Sequence, residues 1–295
     1  ARDAEAEAAY GKALELATEE NRAEIVQRVA SYYYERERYD EAEKTLKDGI
    51  EARKDDLDLI YALARFYHSR GDQAKADSMI EQATSARPNE AKPFLILSAY
   101  RGRNGDLAGA LDAAEKAIEV APEDATAKLR KAELLIDMGV REASKKRLAT
   151  GRAIVDAVLA KAADMPEAHF VHAKLDLSEG KADDAVASLR RALDRRPDWA
   201  QAHFLLGSAL LMQNDREQAR AEVLRAIELD ADFVDARRLL TKVHALLGEH
   251  DLAIEESRRV LRQRPDDREI RIALAQSLVS SSKPDEARKE LESIP

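Results

Sequence analysis

Small residues return along this chain at a fixed interval among longer aliphatic ones, and that pattern predicts paired helices. One column reads Ala30, Ala64, Ser98 and Ala132, each 34 residues after the last, and resumes after one step of 41 at Ala173, Gly207, Thr241 and Ala275. A second column reads Ala42, Ala76, Ala110 and Ser144, then Ala185, Ala219, Ala253 and Ala287, with the same single long step. A side chain no larger than Ala or Thr lets two helix backbones approach closely, so each column marks a predicted helix crossing. A polar column, Asp55, Asn89, Glu123, Asp164, Asp198, Asp232 and Asp266, precedes the first predicted helix of each repeat, where N-caps are wanted. Gly71, Gly105 and Gly139 keep the same beat, and Gly71, Gly105 and Gly248 fall between helices, where a left-handed C-cap residue is needed. Asp72, Asp106 and Asp215 are then placed to cap the second helix, and Pro88, Pro122, Pro197 and Pro265 follow it. Independent columns sharing one period and one slip define an internal repeat.

The frame gives repeats at 23–56, 57–90, 91–124, 125–165, 166–199, 200–233, 234–267 and 268–295, with residues 1–22 as the second helix of an earlier one. The slip adds seven residues, about two helical turns, so the apolar phase survives it. Leu148, Ile154, Val155, Val158, Leu159 and Ala162 continue a helical pattern, which predicts one long second helix from about Arg141 to Ala162, bent at Gly151. That helix is either a neutral extension or a functional one, a docking knob or a local change in superhelix curvature. The chain begins at Ala1 and ends at Pro295 inside a predicted helix, with no polar cap at either end. The expectation is that the natural protein continues both ways, and that uncapped ends allow self-association.

A 34-residue helix–turn–helix period with these small and proline columns resembles the tetratricopeptide repeat. The match is clearest from Ala200 to Asp232, at Leu206-Gly207, Leu210, Ala219 and the run Ala226-Ile227-Glu228-Leu229-Asp230. The family's tryptophan near the start of the first helix is replaced by Phe94, His169 or His203. The resemblance implies an all-α fold, a right-handed α-solenoid of about eight antiparallel helix pairs, whose first helices line a concave groove that holds a peptide. In that frame the groove-directed places hold Leu95, Ile96, Leu129, Ile136, Phe170, Leu177, Phe204, Leu211 and Met212, with Arg65, Arg130, Lys174, Arg238 and Lys242 among them. An apolar floor with basic groups suits an amphipathic helix or an extended segment carrying acidic residues. The family's grip on chaperone C-terminal carboxylates needs a Lys/Asn-rich set. The matching places here hold Gln27, Ser31, Ala62, Lys92 and Ile96, so Hsp70/Hsp90 co-chaperone activity is not expected.

Composition narrows the picture further. With 48 Lys+Arg against 57 Asp+Glu among 295 residues, the net charge of −9 argues against wrapping nucleic acid, which needs a basic stripe. Only 11 Gly and 8 Pro agree with a nearly all-helical chain, and the absence of Cys removes disulfides, thiolate zinc sites and thiol nucleophiles. No stretch approaches the ~18 apolar residues of a membrane-spanning helix. His169, His172 and His203 could share a neighbourhood, but they occupy packing places, and no metal or other cofactor is expected. No phosphate loop, nucleophile elbow or His-Glu-x-x-His is present, so no catalytic residue is assigned. The reading is a non-catalytic interaction scaffold for a protein or peptide partner, bacterial in style, cytoplasmic or periplasmic, in a setting such as envelope or exopolysaccharide assembly. The alternative is a recruiting repeat domain of a larger enzyme such as a glycosyltransferase.

Overall fold

The computed structural model describes residues 2–53 and 56–294; Ala1, Asp55 and Pro295, on which expectations above fall, lie outside the described residues. Among the described residues there are helices and no strands. They are α1 (Arg2–Glu15), α2 (Arg22–Glu35), α3 (Tyr39–Ala52), α4 (Leu57–Ser69), α5 (Gln73–Ala86), α6 (Ala91–Arg103), α7 (Leu107–Val120), α8 (Ala125–Arg141), α9 (Lys145–Lys161), α10 (Pro166–Ser178), α11 (Ala182–Arg195), α12 (Ala200–Met212), α13 (Arg216–Leu229), α14 (Val234–Leu247), α15 (His250–Gln263), α16 (Arg268–Ser280) and α17 (Pro284–Glu292). They divide into two compact units, residues 1–127 and 128–295, here the N-terminal and C-terminal units.

One local device turns the chain in every hairpin. One or two residues past each first helix the chain takes a positive φ, at Glu37, Gly71, Gly105, Ala143, Gly180, Asn214, Gly248 and Ser282. The next N–H then donates to the carbonyl five residues back, as in Asp72 to Tyr67 (2.9 Å), Ser144 to Gly139 (2.8 Å) and Lys283 to Leu278 (2.8 Å). This bond satisfies carbonyls that the helix end leaves unpaired. Asp72, Asp106 and Asp215 accept backbone N–H groups at the start of α5, α7 and α13.

The small columns are the helix crossings. Ala64, Ser98, Ala132, Ala173 and Thr241 are fully buried, as are Ala42, Ala76, Ala110, Ala185, Ala219 and Ala253. A Cβ placed on Gly207 would meet Val223 Cγ2 at 2.5 Å and the Ala219 carbonyl oxygen at 3.1 Å, so the α12–α13 crossing has room for hydrogen alone.

The seven extra residues are distributed differently from the sequence expectation. There is no single long helix from Arg141. Instead α8 and α9 each have 17 residues, against 13 and 14 in the flanking pair α10 and α11. Four and three residues are about one turn each, so both arms grow equally at the turn end and the hairpin stays in register. Gly139 therefore lies inside α8, and Ala143 (φ 51°) makes the turn. Ser144 is not a crossing residue but the N-cap of α9, its hydroxyl accepting from Arg147 N. Gly151 takes the crossing place, where an added Cβ would lie 3.3 Å from the Ala132 carbonyl oxygen; α9 runs through it as one helix. In the added turn the sizes are exchanged, with Leu148 packed over Gly139.

The polar column is also displaced by one residue. The N-caps of the first helices are Asp56, Glu90, Met165, Trp199, Phe233 and Asp267, one place after the column. Asp56 and Asp267 cap through their side chains, and Asp124 accepts from Thr126 N and Ala127 N in the same way. Asp164 and Asp198 serve another purpose: they accept from Arg195 (2.6 Å) and Arg225 (2.9 Å) on the second helices α11 and α13.

Candidate binding clefts

A single register position on the first helices organises the candidate site. Its occupants are Ser31, Arg65, Ala99, Glu133, Lys174, Ser208, Lys242 and Gln276, spaced by the repeat. Within the N-terminal unit Ser31, Arg65 and Ala99 are exposed. Within the C-terminal unit Glu133, Lys174 and Ser208 are half-buried, whereas Lys242 and Gln276 are exposed.

Lys174 was expected to offer a basic group to a partner. Its Nζ instead lies 3.0 Å from Glu133 Oε1 and 2.9 Å from Asp137 Oδ1. Burial alone lowers a lysine pKa, but the two carboxylates outweigh it and hold Lys174 above the ordinary range. Burial likewise works against the Glu133 anion, and Lys174 with Arg130 overcomes it, holding Glu133 below the usual carboxylate range. Arg130 donates to Glu133 at 2.9 Å. Arg238 rests on Asp267 (3.3 Å) and Glu269 (2.6 Å). Arg65 and Lys242 have no ion-pair or hydrogen-bond partner among the described residues.

The expected apolar groove residues separate too. Leu129 and Ile136 are core residues at 3% and 1% exposure, contrary to the groove expectation. Ile136 falls inward because the lengthened α8 sets it against Gly151 of α9. Phe170 stacks on Trp199 with centroids 4.4 Å apart, and Phe204 packs on Phe233 at 5.1 Å. Trp199 and Phe233 are the N-cap residues of α12 and α14, and each walls the preceding first helix; an aromatic at a cap position gave no warning of this in the sequence. Leu95, Ile96, Leu177 and Leu211 are half-buried, and Met212 is exposed.

Two of the clefts beside this column have largely apolar or aromatic walls. In the C-terminal unit a cleft of about 620 Å³ is lined by α14 and α16, with Phe204 at its edge and Leu239, Lys242, Leu246, Ile270 and Ala273 along it. Leu246 is 40% exposed there, a large apolar side chain open to solvent in part. In the N-terminal unit a cleft of about 390 Å³ is walled by Tyr34, Tyr61, Phe66 and Tyr100, with Arg65 and Arg103 beside them. Arg103, Tyr61, Phe66 and Tyr100 were not singled out from the sequence.

Two of the histidines belong to a structural column. His169 and His203 Nε2 lie 2.8 and 2.9 Å from the carbonyl oxygens of Ala163 and Pro197, six residues back. Arg237 and Arg271 make the same reach to Ala231 and Pro265. His203, Arg237 and Arg271 also hold Glu222, Glu256 and Glu290 on the following helices. The column ties the inter-repeat loop to the hairpin. His172 pairs with the buried Asp176 (2.8 Å), which Arg152 also binds. Burial opposes the Asp176 anion, but His172 and Arg152 hold its pKa below the ordinary value. Among the described residues no group of three or more His, Asp or Glu is placed to hold a metal ion. No helix among them is long and apolar enough to cross a membrane.

Helical hairpins of this length, crossing at small residues and turned by a left-handed residue, define a helix–turn–helix repeat protein. The tetratricopeptide repeat model matches residues 33–95, 176–243 and 244–295, more than half the chain, and the chain belongs to that family. No curated protein matches it. Among solved structures it is similar to a tetratricopeptide repeat protein from Parabacteroides merdae, at 14% identity and a TM-score of 0.60 over 87% of this chain and 98% of that one. It is also similar to PilW, a type IV pilus biogenesis factor, at 20% identity and a TM-score of 0.56 over 73% and 97%. A third is a thermophilic repeat protein from Thermus thermophilus, at 20% identity and a TM-score of 0.54 over 64% and 99%. At these identities the likeness is one of fold.

Proposed function

We propose that the chain is a non-catalytic scaffold that holds a segment of a partner protein in the cleft of its C-terminal unit. Repeats of this family serve protein–protein interaction, and the observation that carries this reading is the exposed Leu246 beside the unpaired Lys242 in a cleft whose other charged groups, Asp235, Arg238 and Glu269, pair with one another. The occupant is an amphipathic segment. Its apolar side chains cover Leu246, Leu239 and Ile270, and an acidic residue reaches Lys242. Phe204 contributes by shaping the edge of the cleft, since it is already packed against Phe233.

The test is a peptide-display selection on the full chain, followed by titration of the selected peptides against Leu246→Asp and Lys242→Glu. Both side chains are exposed, so the far-ultraviolet circular dichroism should stay unchanged. Binding is expected to weaken at least roughly tenfold in Leu246→Asp, as for a central apolar anchor. Full affinity in both variants would place the site elsewhere.

A further inference from the structure

The N-terminal unit holds a second cleft whose chemistry differs. Its walls are rings locked by edge-to-face contacts, Tyr34 on Phe66 at 6.1 Å and Phe66 on Tyr67 at 5.7 Å. The Tyr100 hydroxyl is tied to Gln73 and Asp77. The floor is therefore preformed, and at about 390 Å³ it has room for one or two side chains.

The cations beside it are the unusual part. Every other described arginine side chain of this unit has a partner. Arg22 and Arg53 rest on main-chain carbonyls. Arg28, Arg38, Arg87 and Arg101 rest on carboxylates. Arg36 and Arg70 lie over tyrosine faces. Arg65 and Arg103 have no ion-pair or hydrogen-bond partner among the described residues, and both line this one cleft. Glu35 also lines it, so the ionised side chains sum to one net positive charge on a chain whose net charge is −9. His68 is engaged with Gln73 at 2.9 Å. A guanidinium is weakly hydrated and presents a planar fork that matches a carboxylate, and aromatic walls beside it exclude water and strengthen the pairing.

We propose that this cleft is a second binding site, taking an acidic segment of a partner protein. Its carboxylates pair with Arg65 and Arg103, and one aromatic or aliphatic side chain enters between Tyr61, Phe66 and Tyr100. The site lies in the other unit from the Leu246 cleft and stands on separate residues. Arg65 comes from the middle of α4 and Arg103 from the last residue of α6; Gln27, Ser31 and Ala62 line the cleft and bring no charge.

The experiment is fluorescence anisotropy on the full chain with labelled peptides of one length. One has a central Phe flanked by Asp and Glu, one by Asn and Gln, one by Lys, and one by phosphoserine. The acidic peptide is expected to bind best, and to lose at least roughly tenfold in affinity in Arg65→Glu and in Arg103→Glu. The loss should shrink as salt rises. Tyr61→Ala should weaken the Phe peptide and leave a peptide without the Phe unaffected. Lys242→Glu, in the other cleft, should bind the acidic peptide as the parent does, and its effect on displayed peptides reports separately on the Leu246 site. Equal binding of the neutral peptide, unchanged affinity in both arginine variants, binding of the phosphoserine peptide alone, or no binding at all would each overturn the proposal. Both arginines are exposed, so folding is preserved; Arg65→Gln and Arg103→Gln give the same test with smaller perturbation.

Discussion

Lys174 and Lys242 occupy the same place in the repeat, two repeats apart, and do opposite things. Lys174 meets Glu133, which occupies the matching place of the preceding first helix, and the pair closes that stretch of the column. Lys242 has Ser208 and Gln276 as its column neighbours and stays open beside the Leu246 cleft. Arg65, between Ser31 and Ala99, stays open in the same way. A register position therefore fixes where a side chain points, and the residues one period away fix whether it is spent on the fold or left for a partner.

That contrast is sharpest in stability. Lys174→Ala removes the cation from two carboxylates whose surroundings are about a quarter to two-fifths exposed. It should destabilise the C-terminal unit by ~1–3 kcal/mol in urea unfolding, less than a fully buried pair because solvent screens it. Lys242→Ala should stay within about 0.5 kcal/mol. Equal losses would erase the distinction.

The next largest effect is acid lability. The folded pKa values of Glu133 and Asp176 are held below their unfolded values, so their stabilising contribution is present above the unfolded carboxylate range, about pH 4, and is lost as pH falls through the lower folded values. Lys174 is raised, so its contribution persists at neutral pH and fades only above the ordinary lysine range. Melting temperature measured from pH 7 to pH 3 should fall at the acid end. Glu133→Gln should flatten part of that fall; a parallel curve would show that the ion cluster does not carry it.

The smallest effect lies at the lengthened hairpin. Ala143 adopts φ 51°, where the comparable turns at Gly71, Gly105, Gly180 and Gly248 have no Cβ to accommodate. Ala143→Gly should raise stability by about 0.5–1 kcal/mol, and Asn214→Gly by less, because Asn tolerates the left-handed region. A destabilised Ala143→Gly would mean that the turn is held by more than its backbone.

The hairpins, their lengths outside the slip and the first small column could be read from the chain because a 34-residue period repeats each signal several times. The slip could not. Seven residues preserve helical phase wherever they enter between Ala132 and Gly151, and Gly139 and Ser144 happen to continue the old beat. Only the turn geometry at Ala143 decides the register. The N-caps were misplaced by one residue because the polar column there is continuous, yet two of its members, Asp164 and Asp198, hold Arg195 and Arg225 instead. The clefts were partly visible: Arg65 and Lys242 came from the register, whereas the burial of Leu129 and Ile136, the pairing of Lys174 and the convergence of Arg103 on Arg65 depend on contacts between helices far apart in sequence.

The most direct test of the scaffold reading is site-specific photocrosslinking with a selected partner peptide. A photoreactive side chain would be placed at Leu246 in the cleft, or at Leu224, an equally exposed leucine (41% against 40%) on the second helix α13. Crosslinking at position 246 and none at 224 is the predicted result. Crosslinking at 224 with none at 246 would contradict it.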